Sequence, residues 1–487
     1  FPGLLGNVVA GRIANRLDLG GTNCVTDAAC ASAFSAVSLG VNELLTNQSD
    51  LVLVGGVDTL NDPFMYMCFS KTPALSKSGD CRPFSDSADG TMLGEGIGMV
   101  ALKRLEDAER DGDAIYAVLS GVGTSSDGRS KSVYAPVSEG QAKALRRAYD
   151  QAGYTPDTVE LMEAHGTGTK AGDAAEFGGL NMVFGETGRE QKQWCALGSV
   201  KSQIGHTKAA AGAAGLFKII MALRHKTLPP TIKIEKPSQK LNIEETPFYL
   251  NTETRPWVRD GNHPRRGSVS AFGFGGSNYH LTLEEYTGSN ELAGRFRTND
   301  QELVVISGGS INEVVATIAD FSSHCQYPGA LSWLSWRSCS NWNGSGDFRL
   351  AVVAKDEQDL VAKLTAAADK LKNEASDFNL PGVWFGAGQK VDDVAYLFPG
   401  QGSQYVNMGN QVAMAFDEAI GVWGDISDAV VTEKPLHSVV YPIPGFSDDS
   451  AKEQQSKLTE TQWAQPAIGA VSLSILSLLE KMKVSPK

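Results

Sequence analysis

The sequence predicts an α/β fold, and three observations carry that prediction. Short apolar runs such as Leu51–Val54 have the length and composition of buried strands. Helix-compatible stretches, Gly140–Gly153 and Ala209–Arg224 among them, alternate with such runs up to about Glu285. The texture of the whole region is rich in glycine and alanine.

At 487 residues the chain has room for about three domains. The first runs over residues 1–285. Between Tyr286 and Gln301 the run YTGSNELAGRFRTNDQ is polar and breaks the pattern, as a linker does. A strand-like Glu302–Ser307 then opens a second region, and a helical segment follows. Next comes FRLAVVAKDEQDLVAKLTAAADKL, which reads as a strand leading into an amphipathic helix. Residues 286–390 therefore read as a small α/β unit. Its run LSWLSWRSCSNWNG carries no assignable chemistry, and its grouped tryptophans predict a packing layer in the core. Residues 391–487 open with Val394–Phe398 and the turn PGQGSQ.

Composition excludes several functions. A net charge of −13 argues against nucleic acid or an anionic membrane as the main partner. The cysteines number seven, without regular spacing, which is no disulfide framework. No CxxC pair occurs, so no structural zinc is indicated. The N-terminus lacks the segments of a signal peptide. The most apolar stretch, Ala467–Leu479, is too short and too serine-rich to span a bilayer. A soluble, cytoplasmic protein is expected, and the opening Phe1 suggests a fragment of a longer chain.

Three side chains stand out chemically. Cys30 lies in VTDAACASAF, ahead of a helix-compatible run to Leu45. A thiol near a helix N-terminus meets free amide hydrogens and a dipole that favour the thiolate. His165 lies in EAHGTGT, after a strand-like segment, and His206 lies in KSQIGH, just before an alanine-rich helix. The turn FGFGGSN at 272–278 supplies glycines that let backbone amides approach a ligand, as an oxyanion hole requires. Taken singly, each has a plainer reading: a packed cysteine, a satisfied histidine, a tight turn. The run GEGIG at 94–98 has the wrong spacing for a dinucleotide loop.

Together these blocks resemble the β-ketoacyl synthases, the condensing domains of fatty-acid and polyketide synthases. The resemblance covers Gly6 to Glu285 and runs in family order: GNVVAGRIANRLDLGG, DAACASA, CRPFSDSADGTMLGEG, EAHGTGTKAGD, GSVKSQIGH and FGFGGSNYH. It implies a layered, thiolase-like α/β fold with an incomplete N-terminal half, since only 29 residues precede Cys30. It implies that Cys30 is the nucleophile carrying the acyl chain. It implies that His165 and His206 support decarboxylation of a malonyl thioester and stabilise the enolate oxygen. Lys201 and Glu176 match the supporting lysine and glutamate that hold the first histidine. The amides of Cys30 and Phe274 match the oxyanion hole. Thr167 and Thr169 match the threonines that bind the phosphopantetheine arm.

No metal and no directly bound cofactor are implied. The partners implied are an acyl carrier protein, malonyl and acyl thioesters, and a second copy of the full-length chain. The spelling DAACASA, with NDPFMYMCFSKTPALS downstream, is similar to the polyunsaturated fatty acid synthases and their glycolipid-synthase relatives. FGFGGSNYH departs from the more usual ending at Ser277 and Tyr279. PGQGSQ, with TQWAQPA at 461–467, resembles the opening of a malonyl-type acyltransferase whose GHSxGE motif the chain does not contain. Two other readings compete. A thiolase would carry a second cysteine in the C-terminal glycine motif, where this chain has none. An inert fragment or scaffold is the other, and acylation of Cys30 separates it from the enzyme.

Overall fold

The computed structural model describes residues 1–487 except 130–131, 260–262, 291–299, 374–375, 389–393, 430–433, 485 and 487. It divides into two compact units, Phe1–Arg295 with Phe398–Lys483, and Phe296–Leu397 with Val484–Lys487.

The first unit begins with helix α1 (Val8–Leu17) and helix α2 (Ser32–Leu45). Strands β1 (Val52–Asp58) and β2 (Gly96–Leu102) form an antiparallel pair, with α3 (Pro63–Lys71) between them and α4 (Leu105–Asp111) after them. Then follow β3 (Val118–Ser126), α5 (Ser138–Ala152), β4 (Leu161–Glu163), α6 (Lys170–Gly185) and β5 (Cys195–Gly198). The short α7 (Lys201–Ile204) precedes α8 (Ala211–His225). The two-residue β6 (Thr227–Leu228) pairs with β8 (Arg255–Pro256), and β7 (Phe248–Leu250) lies between them in sequence. A hairpin of β9 (Arg266–Gly273) and β10 (Ser277–Glu284) closes the set.

Six of these strands form one sheet in the order β3-β10-β9-β4-β5-β7. From β9 to the β7 edge it is parallel, β9 with β4, β4 with β5 and β5 with β7. Every residue of β4 and β5 is buried. Alternation along a strand explains how both faces are covered. Leu161 and Ala196 pack with Phe34 and Val37 of α2 and Leu216 and Ile219 of α8. Met162 and Leu197 pack with Leu145 of α5 and Phe177 and Leu180 of α6. Helices α2 and α8 thus lie between the large sheet and the β1–β2 pair, where Val54 joins the same cluster. This is a layered α/β arrangement, as expected. The expected linker at 286–301 is not wholly outside this unit: Tyr286 is buried beside Ala108 and Ile115. Residues 291–299 of that run lie outside the described residues.

The second unit holds β11 (Glu302–Gly308), α9 (Ile311–His324), α10 (Ala330–Ser340), β12 (Phe348–Ala354), α11 (Glu357–Asn373), β13 (Phe378–Leu380) and β14 (Val383–Ala387). The strands form an antiparallel sheet in the order β11-β12-β14-β13. Val304, Ile306, Leu350 and Val352 of the sheet pack against Val314 and Ile318 of α9 and Leu360 and Leu364 of α11. The tryptophans do not fill this core. Trp333, Trp336 and Trp342 are 42%, 67% and 39% exposed. The reason is helical phase: Leu331, Leu334 and Ser338 share the inward stripe of α10, and Trp333 and Trp336 fall outside it.

The chain then returns to the first unit with α12 (Asn410–Ala415), α13 (Asp417–Ala429), α14 (Leu436–Val440), α15 (Asp448–Thr459) and α16 (Thr461–Lys481). Trp423, Tyr441 and Trp463 form their core, which takes in Val258. Lys226 pairs with Asp417 at 2.6 Å across the same contact. Val394–Phe398 forms no strand among the described residues. A strand needs a ladder partner, and every regular element described from residue 398 onward is helical. No described helix is long and apolar enough to cross a membrane.

The phase of α10 has a measurable consequence. Leu334→Ala empties a fully buried site and is expected to lower the unfolding free energy of the second unit by about 3 kcal/mol. Trp336→Ser is expected to change it by less than about 0.5 kcal/mol. Urea unfolding of the two variants decides, and equal losses would put Trp336 back in the core.

Candidate active site

The nucleophile loop is built by its own side chains. Ala29 has a left-handed backbone, φ 52°, which alanine seldom adopts. The Asp27 carboxylate accepts its amide at 2.8 Å. The Ser32 hydroxyl accepts the Ala28 amide at 2.9 Å and donates to the Ala29 carbonyl at 2.7 Å. Cys30 then sits in a 3₁₀ turn, Ala29–Ala31, that runs directly into α2.

The thiol is nevertheless not poised as an anion. Burial pushes it above the ordinary cysteine value, and the Lys201 charge and the amides of Phe274 and of Cys30 itself pull it part of the way back. The expectation of a favoured thiolate is corrected on this point. Desolvation outweighs what the helix start and the lysine supply.

His165 follows the buried end of β4. The Glu176 carboxylate, on α6, accepts the amides of His165 and Gly166 at 2.7 Å each. Lys201 donates to the His165 carbonyl from the other side. Asp173, one turn before Glu176, accepts the amides of Gly168 at 3.1 Å and Phe84 at 2.8 Å. Both acids are buried, and burial pushes each up to about 7. Thr167 and Thr169 are half-buried, with their hydroxyls 2.9 Å apart, and Thr169 caps α6 by accepting the Gly172 amide.

His206 precedes α8. Its Nδ1 accepts the Lys208 amide at 3.0 Å, so the ring hydrogen resides on Nε2. The rings of His165 and His206 are perpendicular, 5.4 Å between centroids, and Phe272 lies 5.8 Å from His165. Burial holds both imidazoles well below the usual histidine range, and the nearby Lys201 charge adds to the effect. Both are neutral. His165 Nδ1 is buried, with no hydrogen-bond partner among the described residues.

Cys30, His165 and His206 bring their reactive atoms within 4.8 Å of one another. Such a trio could in principle ligate a metal. Here the Nε2 of His206 carries a hydrogen, leaving it a donor with no lone pair for a cation. The hairpin after β9 brings Phe274 to the same place. A Cβ at Gly273 would lie 2.1 Å from the Ala28 carbonyl oxygen, so only glycine allows that approach.

All the residues singled out in the sequence therefore lie in or around one site. Sequence reasoning missed Asp173, whose signal was its place in GTKAGDAAE beside the glycine-threonine loop. It also missed Lys208, whose ammonium is held by Asp58 at 3.1 Å, Asn61 at 2.7 Å and the Gly94 carbonyl at 2.8 Å. Those partners lie 114 or more positions from Lys208, and no local pattern connects them to it.

Comparison with known proteins bears on this arrangement. Residues 1–108 match the family model for the β-ketoacyl synthase N-terminal domain, and residues 116–235 match that for the C-terminal domain. Over these residues the chain belongs to the β-ketoacyl synthase family. It is 38% identical to a polyunsaturated fatty acid synthase from Thraustochytrium, over all of this chain and 18% of that protein. It is 34% identical to the polyketide synthase GfsA of Streptomyces halstedii, over all of this chain and 6% of that protein. The chain thus spans under a fifth of the length of these relatives. Among solved structures, a ketosynthase from module 6 of the Bacillus subtilis bacillaene synthase is 35% identical, with a TM-score of 0.56. That match covers 76% of this chain and 64% of the other. The fold is that of the ketosynthases.

The state of the thiol gives a direct test. Alkylation of Cys30 by iodoacetamide is expected to rise with pH through a value above the ordinary thiol range, because the neutral form is favoured. Lys201→Met removes the charge that opposes burial, so its profile is expected to move further toward alkaline pH. A plateau already reached at neutral pH would show a thiolate instead.

Proposed function

We propose that this chain catalyses decarboxylative Claisen condensation between an acyl group on Cys30 and a malonyl group on an acyl carrier protein. The setting proposed is polyunsaturated fatty acid or polyketide synthesis. The observation that carries the proposal is the approach of one thiol and two neutral imidazoles to within 4.8 Å.

The chemistry comes from those groups. The Cys30 sulfur attacks an acyl thioester, the carrier thiol leaves, and an acyl-Cys30 thioester remains. The malonyl thioester then enters on a phosphopantetheine arm, for which Thr167 and Thr169 are the proposed contacts. Its carbon–carboxylate bond breaks, CO₂ departs, and the electron pair forms an enolate. The hydrogen on His206 Nε2 and the ring of His165 are the proposed partners of that developing charge, in a site that burial has made a poor dielectric. The enolate carbon attacks the acyl-Cys30 carbonyl. The amides of Cys30 and Phe274, which already point at the sulfur, are the proposed donors to the resulting oxyanion. Collapse expels the Cys30 thiolate and leaves a β-ketoacyl chain on the carrier. Lys201 and Glu176 act at one remove by fixing the His165 backbone.

The same reading assigns residues 1–285 to the ketosynthase, 286–390 to a connecting α/β domain and 391–487 to the start of an acyltransferase. It places the parent protein in the cytoplasm as a multidomain homodimer.

Intact mass after incubation with an acyl thioester tests the first step, and a mass gain that Cys30→Ala abolishes is expected. His206→Ala and His165→Ala are expected to keep that gain and to lower malonyl decarboxylation by about 100-fold. Folded protein that gains no mass would instead favour the inert scaffold.

A further inference from the structure

Glu163 is the last residue of β4, two positions before His165, and is 1% exposed. One oxygen of its carboxylate meets Lys218 Nζ on α8 at 2.7 Å, and the Lys218 side chain is itself only 8% exposed. The other oxygen accepts the Val200 amide at 2.6 Å, immediately before Lys201 and α7. A single carboxylate thereby ties together three segments. They are the strand that delivers His165, the turn that delivers Lys201 and His206, and the helix that starts after His206.

We propose that Glu163 and Lys218 form a positioning pair that sets the mutual geometry of His165 and His206. The role rests on the condensing reading above, and the geometric arm of the test does not depend on it. Neither residue touches the reacting atoms. Stability alone is a weak reason for a buried ion pair, since well-packed apolar side chains of similar volume serve as well or better. Placement is the stronger reason, because both oxygens of Glu163 are spent on the segments that carry the site.

Two further observations agree. Gly215 lies one turn before Lys218, and a Cβ there would stand 3.2 Å from Glu163 Cγ and 2.9 Å from Val269 Cγ2. Glycine inside a helix is unfavourable, and here it leaves the space the carboxylate occupies. Glu163 is also the leading charge that offsets burial of the Lys201 ammonium, and that ammonium holds the His165 carbonyl.

The test uses the whole chain with Glu163→Gln, Lys218→Met and the double variant. In each single variant, malonyl decarboxylation is expected to fall about 10- to 100-fold, while Cys30 acylation stays within about 3-fold. The double variant is expected to be no worse than the worse single, since the two residues act as one unit. Histidine-labelled NMR gives a readout free of activity. Of the seven histidines, His165 and His206 are expected to shift in both single variants while His324 and His437 stay in place. Unmoved His165 and His206 signals, or a shift of every histidine together, would overturn the pair. So would additive losses in the double variant, or equal loss of acylation and decarboxylation. A wild-type chain that never decarboxylates malonyl thioester defeats the condensing reading, and the NMR arm still decides the pair.

Discussion

The site depends on one topological constraint: three parallel strands, β9, β4 and β5, lie side by side and end on the same edge. The segments that leave these strands therefore arrive in one place. After β9 comes the turn with Phe274, after β4 comes His165, and after β5 come Lys201 and His206. Parallel strands gather their C-terminal loops in this way, and ligand sites in α/β sheets use that edge. The nucleophile comes from outside the sheet, on the turn that starts α2, and Gly273 gives the clearance that lets it close on the hairpin.

Gathering these groups in a dry place changes what they are. Burial neutralises both histidines and raises the thiol, so the trio at rest carries no charge of its own. The charge sits one layer back, on Lys201, Glu163 and Lys218, where hydrogen bonds to backbone hold the loops. Such a division suits a reaction whose negative charge appears only as CO₂ leaves. Neutral donors preoriented toward that charge cost little reorganisation when it forms. Asp173 and Glu176 lie beside that layer: Glu176 accepts the amides of His165 and Gly166, and Asp173 accepts those of Gly168 and Phe84.

Much of this was legible in the chain itself, and the exceptions share a cause. The helices near 140–153 and 209–224 and the hairpin at 272–278 emerged from local pattern, because apolar periodicity and glycine placement are local properties. Trp333 and Trp336 misled because composition ignores phase: they lie off the inward stripe of α10 set by Leu331 and Leu334. The thiolate expectation misled because a helix start is visible in sequence and the depth of burial is not.

The amino-acid sequence settles the kind of chemistry available: a cysteine and two histidines, each embedded in small residues that leave a substrate room to approach. It also settles the α/β alternation that builds the scaffold. Tertiary structure alone decides how those groups behave. Ring tautomer, thiol protonation and the pairing of Glu163 with Lys218 across 55 positions of chain depend on neighbours brought together by folding. Electrostatic interactions in a buried site are set by distance and dielectric, and neither is a property of residue order.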